Sequence, residues 1–241
     1  MSLAGVSVGG VPVGSALVLT LALVLATVVH RPLLGRLGGG TLQHLVRLPG
    51  NLLHELAHAV AMILTGYTVA DLRVSLTDPE GRGHVRPGPA WIGLARPWLT
   101  NLVSPVAPVF AAVAALAALH LACGVPALPA ATSGLLPILR AVDPTRWELW
   151  LALALGYSIT AEMAPSGIDL AAWWRPAAVA AVLIAGAAYG LEVLSPGSLV
   201  GVLATADVAM RGVIGRALAM VVWGGLTMAP VIWIVGRVRA L

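Results

Sequence analysis

Residues 51–65 read NLLHELAHAVAMILT, and the fold follows from how that stretch is read. At its centre is His54-Glu55-Leu56-Ala57-His58, the H-E-x-x-H spacing of zinc sites. On a helix, positions four apart share a face, so His54 and His58 can grip one metal ion together. Glu55 stands beside them, within reach of a water on that ion. Ionisable residues are scarce here, with 6 His and 10 Asp+Glu in the whole chain. Burying three of them in an apolar run without a metal would leave polar groups unsatisfied. The competing reading is a chance pattern on a core helix.

Outward from this stretch, the composition says what surrounds it. The chain has 241 residues, 59% hydrophobic and 10% charged, with a mean hydropathy of +0.94. Soluble domains carry about 25% charged residues. The chain therefore reads as an all-α polytopic membrane protein of about six transmembrane helices. It forms one integral-membrane domain over 1–241 and resides in the cell membrane. Its single cysteine, Cys123, excludes an intrachain disulfide and a cysteine-based zinc site, so any metal must take His and carboxylate ligands. The 14 basic residues are all arginine and are scattered singly. No basic patch interleaved with aromatics appears, so nucleic acid is not a partner. The lipid bilayer is the partner, with arginines at its headgroups.

The N-terminus lacks a positive region and reads as the lead-in to a retained span, not a cleaved signal peptide. The first span covers Val11 to Val29. Pro49-Gly50 opens a second helix, Asn51 to Thr65. Beyond it, Leu72, Val74 and Leu76 alternate with Arg73, Ser75 and Thr77, the period of a strand. Asp78-Pro79-Glu80-Gly81 is a turn signal, and His84 to Arg86 returns as a second strand, giving a small hairpin at the membrane surface. The third span is Trp98 to Cys123. A connector with a short amphipathic piece over Leu135 to Val142 leads to the fourth span, Trp147 to Met163, stopped by Pro165 and Gly167. A short segment through Trp173-Trp174 precedes the fifth span, Pro176 to Leu194. Residues 198–212 read as a surface helix pairing Asp207 with Arg211, and the sixth span is Ala217 to Val235. Peripheral helices at 11–29, 176–194 and 217–235 flank a core at about 50–175.

A zinc hydrolase usually has three protein ligands and an open fourth position. His30, His44, His84 and His120 read as interfacial or packed histidines. Asp71, Asp78 and Glu80 belong to the hairpin. Asp143 and Glu148 flank the fourth span, Glu192 ends the fifth, and Asp207 has Arg211 nearby. Glu162 and Asp169 remain, on either side of Pro165-Ser166-Gly167. Ionisable groups at membrane depth usually face a partner or a water-filled cavity, and irregular backbone there is tolerated only against protein or water. Both features together select Asp169 as the third ligand. The same spacing also reads as a capping box, with Ser166 as N-cap and Asp169 at N3. Glu162 reads equally as a partner orienting a histidine ring and as a snorkelling or arginine-paired acid.

With these residues in view, the chain resembles the site-2 protease family of intramembrane zinc metalloproteases. His54-Glu55-Leu56-Ala57-His58 and Asp169 stand in the family's order. Thr65-Gly66 followed by a β-rich segment is similar to the family as well. So is Ser104-Pro105-Val106-Ala107-Pro108, where many members have Gly-Pro-x-x-Asn. The likeness covers about residues 50–175. Two departures stand out: the aspartate's context is Glu162-Met163-Ala164-Pro165-Ser166-Gly167-Ile168-Asp169 and not Leu-Asp-Gly, and Pro108 replaces the Asn. With no PDZ-like insert, the resemblance implies a minimal member.

The resemblance implies a zinc metalloendopeptidase with one Zn2+ held by His54, His58 and Asp169. Glu55 serves as general base toward a zinc-bound water. The substrate is a transmembrane protein, which must unwind to expose its carbonyls, and the 67–88 hairpin offers it an edge. Asn101 either donates to the substrate or bonds a neighbouring helix, the second being preferred. Two other functions compete: a metal-binding membrane transporter, which also places His and Asp at broken helices, and a proteolytically inactive protein of the protease fold. A glutamate inside the motif is superfluous for binding alone.

Overall fold

The computed structural model describes residues 7–8, 11–12, 41–74, 83–91, 97–124, 143 and 145–238. Two short strands, β1 (Ser7–Val8) and β2 (Val11–Pro12), pair antiparallel. The expected first span begins on β2, and its remainder lies outside the described residues, as do the 135–142 piece and the Asp78–Gly81 turn. The rest is mainly helical: α1 (Thr41–Leu64), the hairpin β3 (Tyr67–Arg73) and β4 (His84–Ala90), α2 (Pro97–Val103), a 3-10 turn (Ser104–Val106), α3 (Ala107–Cys123), α4 (Trp147–Glu162), α5 (Gly167–Leu194) and α6 (Ser198–Val238).

Helix α1 starts well before Pro49 and runs through it. A proline inside a helix removes a donor and crowds the preceding turn. Just past it, the helix is tied to α4, where the Gly50 N–H donates to Ser158 Oγ at 2.9 Å. The helix is inside out relative to a soluble one. Leu45, Leu52, Leu56, Val60 and Ile63 are exposed, whereas Asn51, Glu55 and His58 are buried. An apolar solvent favours that arrangement; water penalises it.

The expected third span is not one continuous helix. It breaks at the 3-10 turn between α2 and α3, where Pro105 and Pro108 supply no N–H. In contrast, the Trp173-Trp174 segment and the span from Pro176 fuse into α5, and the surface helix and last span fuse into α6. Between Ser198 and Ala217 there is no proline or glycine cap strong enough to stop a helix.

Three segments are long and apolar enough to cross a membrane: Pro97–Cys123, Ile168–Leu194 and Gly201–Val235. The sequence reading expects six. Among the described residues α4 has only 16 residues, about 24 Å of rise, short of the roughly 30 Å hydrocarbon core. Helix α1 carries the polar site and packs inward, against α3 and α4. Helix α6 closes the bundle on α3 and α4, burying Ala217, Met220, Val221 and Trp223 with Leu116 and Leu153.

The hairpin leaves α1 at Thr65-Gly66 and is closed at its base by the Trp91 N–H on the Gly66 carbonyl, 3.0 Å. Asp71 faces Arg86, Leu72 faces Val85 and Arg73 faces His84, with two register shifts nearer the base. The strand runs earlier than the Leu72–Leu76 alternation suggests. Pro87 and Pro89 in β4 cannot donate to a ladder, which suits an irregular, edge-only sheet. At the far end Asp71 accepts from His84 (3.2 Å) and pairs with Arg73 (3.1 Å). The His84 hydrogen bond, aided by Arg73, holds the Asp71 carboxyl below the usual carboxylate range.

Candidate metal centre

The centre is assembled from four elements: α1, the 3-10 turn, the end of α4 and the start of α5. His54 and His58 project from one face of α1. His54 Nδ1 faces the Glu162 carbonyl at the end of α4, 2.7 Å away. His58 Nδ1 faces the Ser104 carbonyl of the 3-10 turn at 2.9 Å, and Ser104 Oγ at 3.2 Å. A carbonyl can only accept, so each ring carries its proton on Nδ1. In neutral rings each Nε2 then offers a lone pair, and the two face each other at 3.1 Å. Asp169 Oδ1 stands 3.6 Å from His58 Nε2. All three ligand atoms lie within 4.8 Å of one another.

Two lone pairs and a carboxylate oxygen converging in a largely buried place repel one another unless a cation sits between them. Tetrahedral zinc with bonds of about 2.0–2.1 Å requires ligand atoms about 3.3 Å apart. Two of the three separations, 3.1 and 3.6 Å, bracket that value, and the third lies within 4.8 Å. These three side chains could hold a metal ion.

Asp169 reconciles its two readings by dividing its oxygens. Oδ2 accepts from the Ser166 N–H at 2.7 Å, and Ser166 Oγ accepts from the Asp169 N–H at 3.1 Å, a complete capping box at the start of α5. Oδ1 is the oxygen turned toward His58. The cap therefore aims the ligand atom and does not compete with it.

Glu55 is buried on α1 between the histidines, and its carboxylate lies in electrostatic range of Asp169 and Glu162. Gly83, just before β4, presses on it: a Cβ at Gly83 would come 2.5 Å from Glu55 Cγ and Oε1. The hairpin thus roofs the acid, and a side chain at Gly83 would have to displace the Glu55 carboxylate.

Glu162 also has both of its proposed roles. Its carbonyl holds His54, while its carboxylate makes a two-point contact with Arg47, Nε to Oε1 and Nη2 to Oε2, the latter at 3.1 Å. Asn101, expected to bond a neighbouring helix, is exposed on α2. Among the described residues, three other acids have partners elsewhere: Asp71 in the hairpin cluster, Asp143 on Thr145 and Glu192 on the Gly197 N–H. The sequence reading missed Ser104, Arg47 and Gly83. Ser104 carried a signal, since Pro108 four residues later removes one of the two N–H groups that could reach its carbonyl, and the other, that of Ala107, leaves a lone pair for His58.

In comparisons with known proteins, the chain has no significant match to a family model, a curated protein or a solved structure.

Proposed function

We propose that the chain is a minimal intramembrane zinc metalloprotease of the site-2 protease type, cleaving membrane-protein substrates within or near their transmembrane segments. The observation that carries this reading is the convergence of His54 Nε2, His58 Nε2 and Asp169 Oδ1, with Glu55 buried beside them on the same helix. The donor set, two imidazoles and one carboxylate, is that of hydrolytic zinc sites with an open fourth position. Zinc bound there supplies a Lewis acid that lowers the pKa of its water and polarises a carbonyl.

The chain's own residues supply the rest. Glu55 accepts the proton of the attacking water and delivers it to the leaving amine. The Glu162 and Ser104 carbonyls keep both imidazoles in the tautomer that presents Nε2. The hairpin above Glu55 provides backbone against which an unwound substrate segment can pair. The exposed apolar faces of α1 and α5 and the three segments long enough to span a membrane support a substrate that arrives in the bilayer.

The test is Glu55→Gln, purified and reconstituted with a cleavable transmembrane substrate. Zinc content is expected to stay at one ion while turnover falls about 10²- to 10⁴-fold, the usual worth of a general base. Undiminished cleavage with zinc bound would overturn the assignment. Zinc uptake into sealed vesicles, expected to be absent, distinguishes the protease from a transporter.

A further inference from the structure

The end of α4 is pinned by an ion pair that no zinc ligand requires. The Glu162 carbonyl would ordinarily accept from the N–H of residue 165 or 166 as the helix closes. Residue 165 is proline, and the Ser166 N–H is taken by Asp169 Oδ2. That carbonyl is left for His54 Nδ1. Glu162 is the last residue of that helix, just before the C-cap Met163. Its side chain adds a second anchor there, through its two-point contact with Arg47. Both side chains are largely buried, at 14% and 9% exposure.

Arg47 lies seven residues before His54 on α1, so both occupy the same helix face. Between them, Gly50 packs directly on the Ser158 backbone of α4, where a Cβ would collide with the Ser158 carbonyl. Arg47, Gly50 and His54 therefore form one seam, and α4 meets it at Glu162 with both its side chain and its carbonyl. A planar guanidinium fork on a carboxylate fixes distance and rotation together, which a point charge does not.

Resting on the metal-centre reading above, we propose that Arg47 is a positioning residue for that centre. By clamping the Glu162 carboxylate it sets the Glu162 carbonyl against His54 Nδ1 and so holds His54 in the tautomer and orientation that present Nε2 to the ion. His58 takes its Nδ1 partner from a separate carbonyl, Ser104, so its Nδ1, and not the Nε2 that faces His54, serves as the internal comparison.

Arg47→Gln, Arg47→Lys and the reversed pair Arg47→Glu with Glu162→Arg would be compared with the unaltered protein. One measurement is zinc affinity by competition with a chelator. The other is the ring-nitrogen chemical shifts of labelled histidine in zinc-free protein. Arg47→Gln should weaken zinc about 10- to 100-fold, the usual effect of losing an outer partner of a ligand. It should shift His54, and not His58, away from the Nδ1–H form. Arg47→Lys should fall between, and the reversed pair should recover part of the loss. A lowered melting temperature with zinc affinity and His54 tautomer both unchanged would show the pair to be merely structural and overturn the proposal. Should Arg47→Gln not fold, Arg47→Lys decides by the same two readouts. A protein that takes no zinc, yet whose His54 tautomer still follows Arg47, would overturn the protease reading and leave the positioning role standing.

Discussion

At the residue scale, the centre depends on side chains and carbonyls that each satisfy two demands at once. Asp169 caps α5 with one oxygen and faces the imidazoles with the other, and substitution separates the two. Asp169→Asn keeps an oxygen for the Ser166 N–H but offers zinc a neutral amide. It should melt near the zinc-free parent while losing most zinc affinity. Asp169→Ala should lose the zinc and also about 1 kcal/mol of helix stability with the cap. Calorimetry alongside zinc analysis reads both, and an Ala variant that retains a full equivalent of zinc would remove Asp169 from the site. Gly83 offers the opposite separation. A methyl there meets the Glu55 carboxylate and no metal ligand. Gly83→Ala should cut turnover with zinc affinity intact; a variant of normal activity would show that the hairpin yields freely.

At the element scale, the centre is made by helix interruptions. In the 3-10 turn before α3, Pro105 and Pro108 withhold donors, and the Ser104 carbonyl accepts from the Ala107 N–H with its second lone pair left for His58 Nδ1. Pro108→Ala returns an N–H four residues after Ser104, where it competes with His58 Nδ1 for the same oxygen. The substitution improves the helix and should still weaken zinc by about tenfold or more. Chelator competition measures this, and an unchanged affinity would mean that the turn holds its shape without the proline. The span at 97–123 was legible as apolar and long. Its break was also legible in principle, as two prolines three apart, but which carbonyl a proline frees matters only once a histidine lies opposite. The fusion of Trp173-Trp174 with the following span, and of 198–212 with 217–235, follows from the weakness of the stop signals there. Pro176 is carried inside α5, as prolines in apolar surroundings are when neighbours or local adjustment satisfy the backbone.

At the scale of the whole molecule, α1 and α4 must approach closely enough for the Glu162 carbonyl to reach His54, and Gly50 is where they touch. Gly50→Ala places a methyl against the Ser158 backbone, which cannot swing aside as a side chain can. It should cost about 1–3 kcal/mol, as overpacking does, and should weaken zinc by parting the helices. Thermal melts with and without zinc give both numbers; an equally stable variant would mean that the seam is looser than its contacts indicate. The sequence by itself determined the apolar character of the chain, the histidine pair on one helix face, the glutamate beside it and the exclusion of a cysteine-based metal site. These follow from composition and from the 3.6-residue period, which are local properties. It narrowed the third ligand to the two acids beside Pro165. Only the tertiary structure decided that Asp169 brings an oxygen to the histidines, that Glu162 serves through its carbonyl, and that Arg47 and Gly83 belong to the site. Those residues meet groups on elements distant in the chain, and no periodicity or spacing encodes which carbonyl will meet which ring nitrogen.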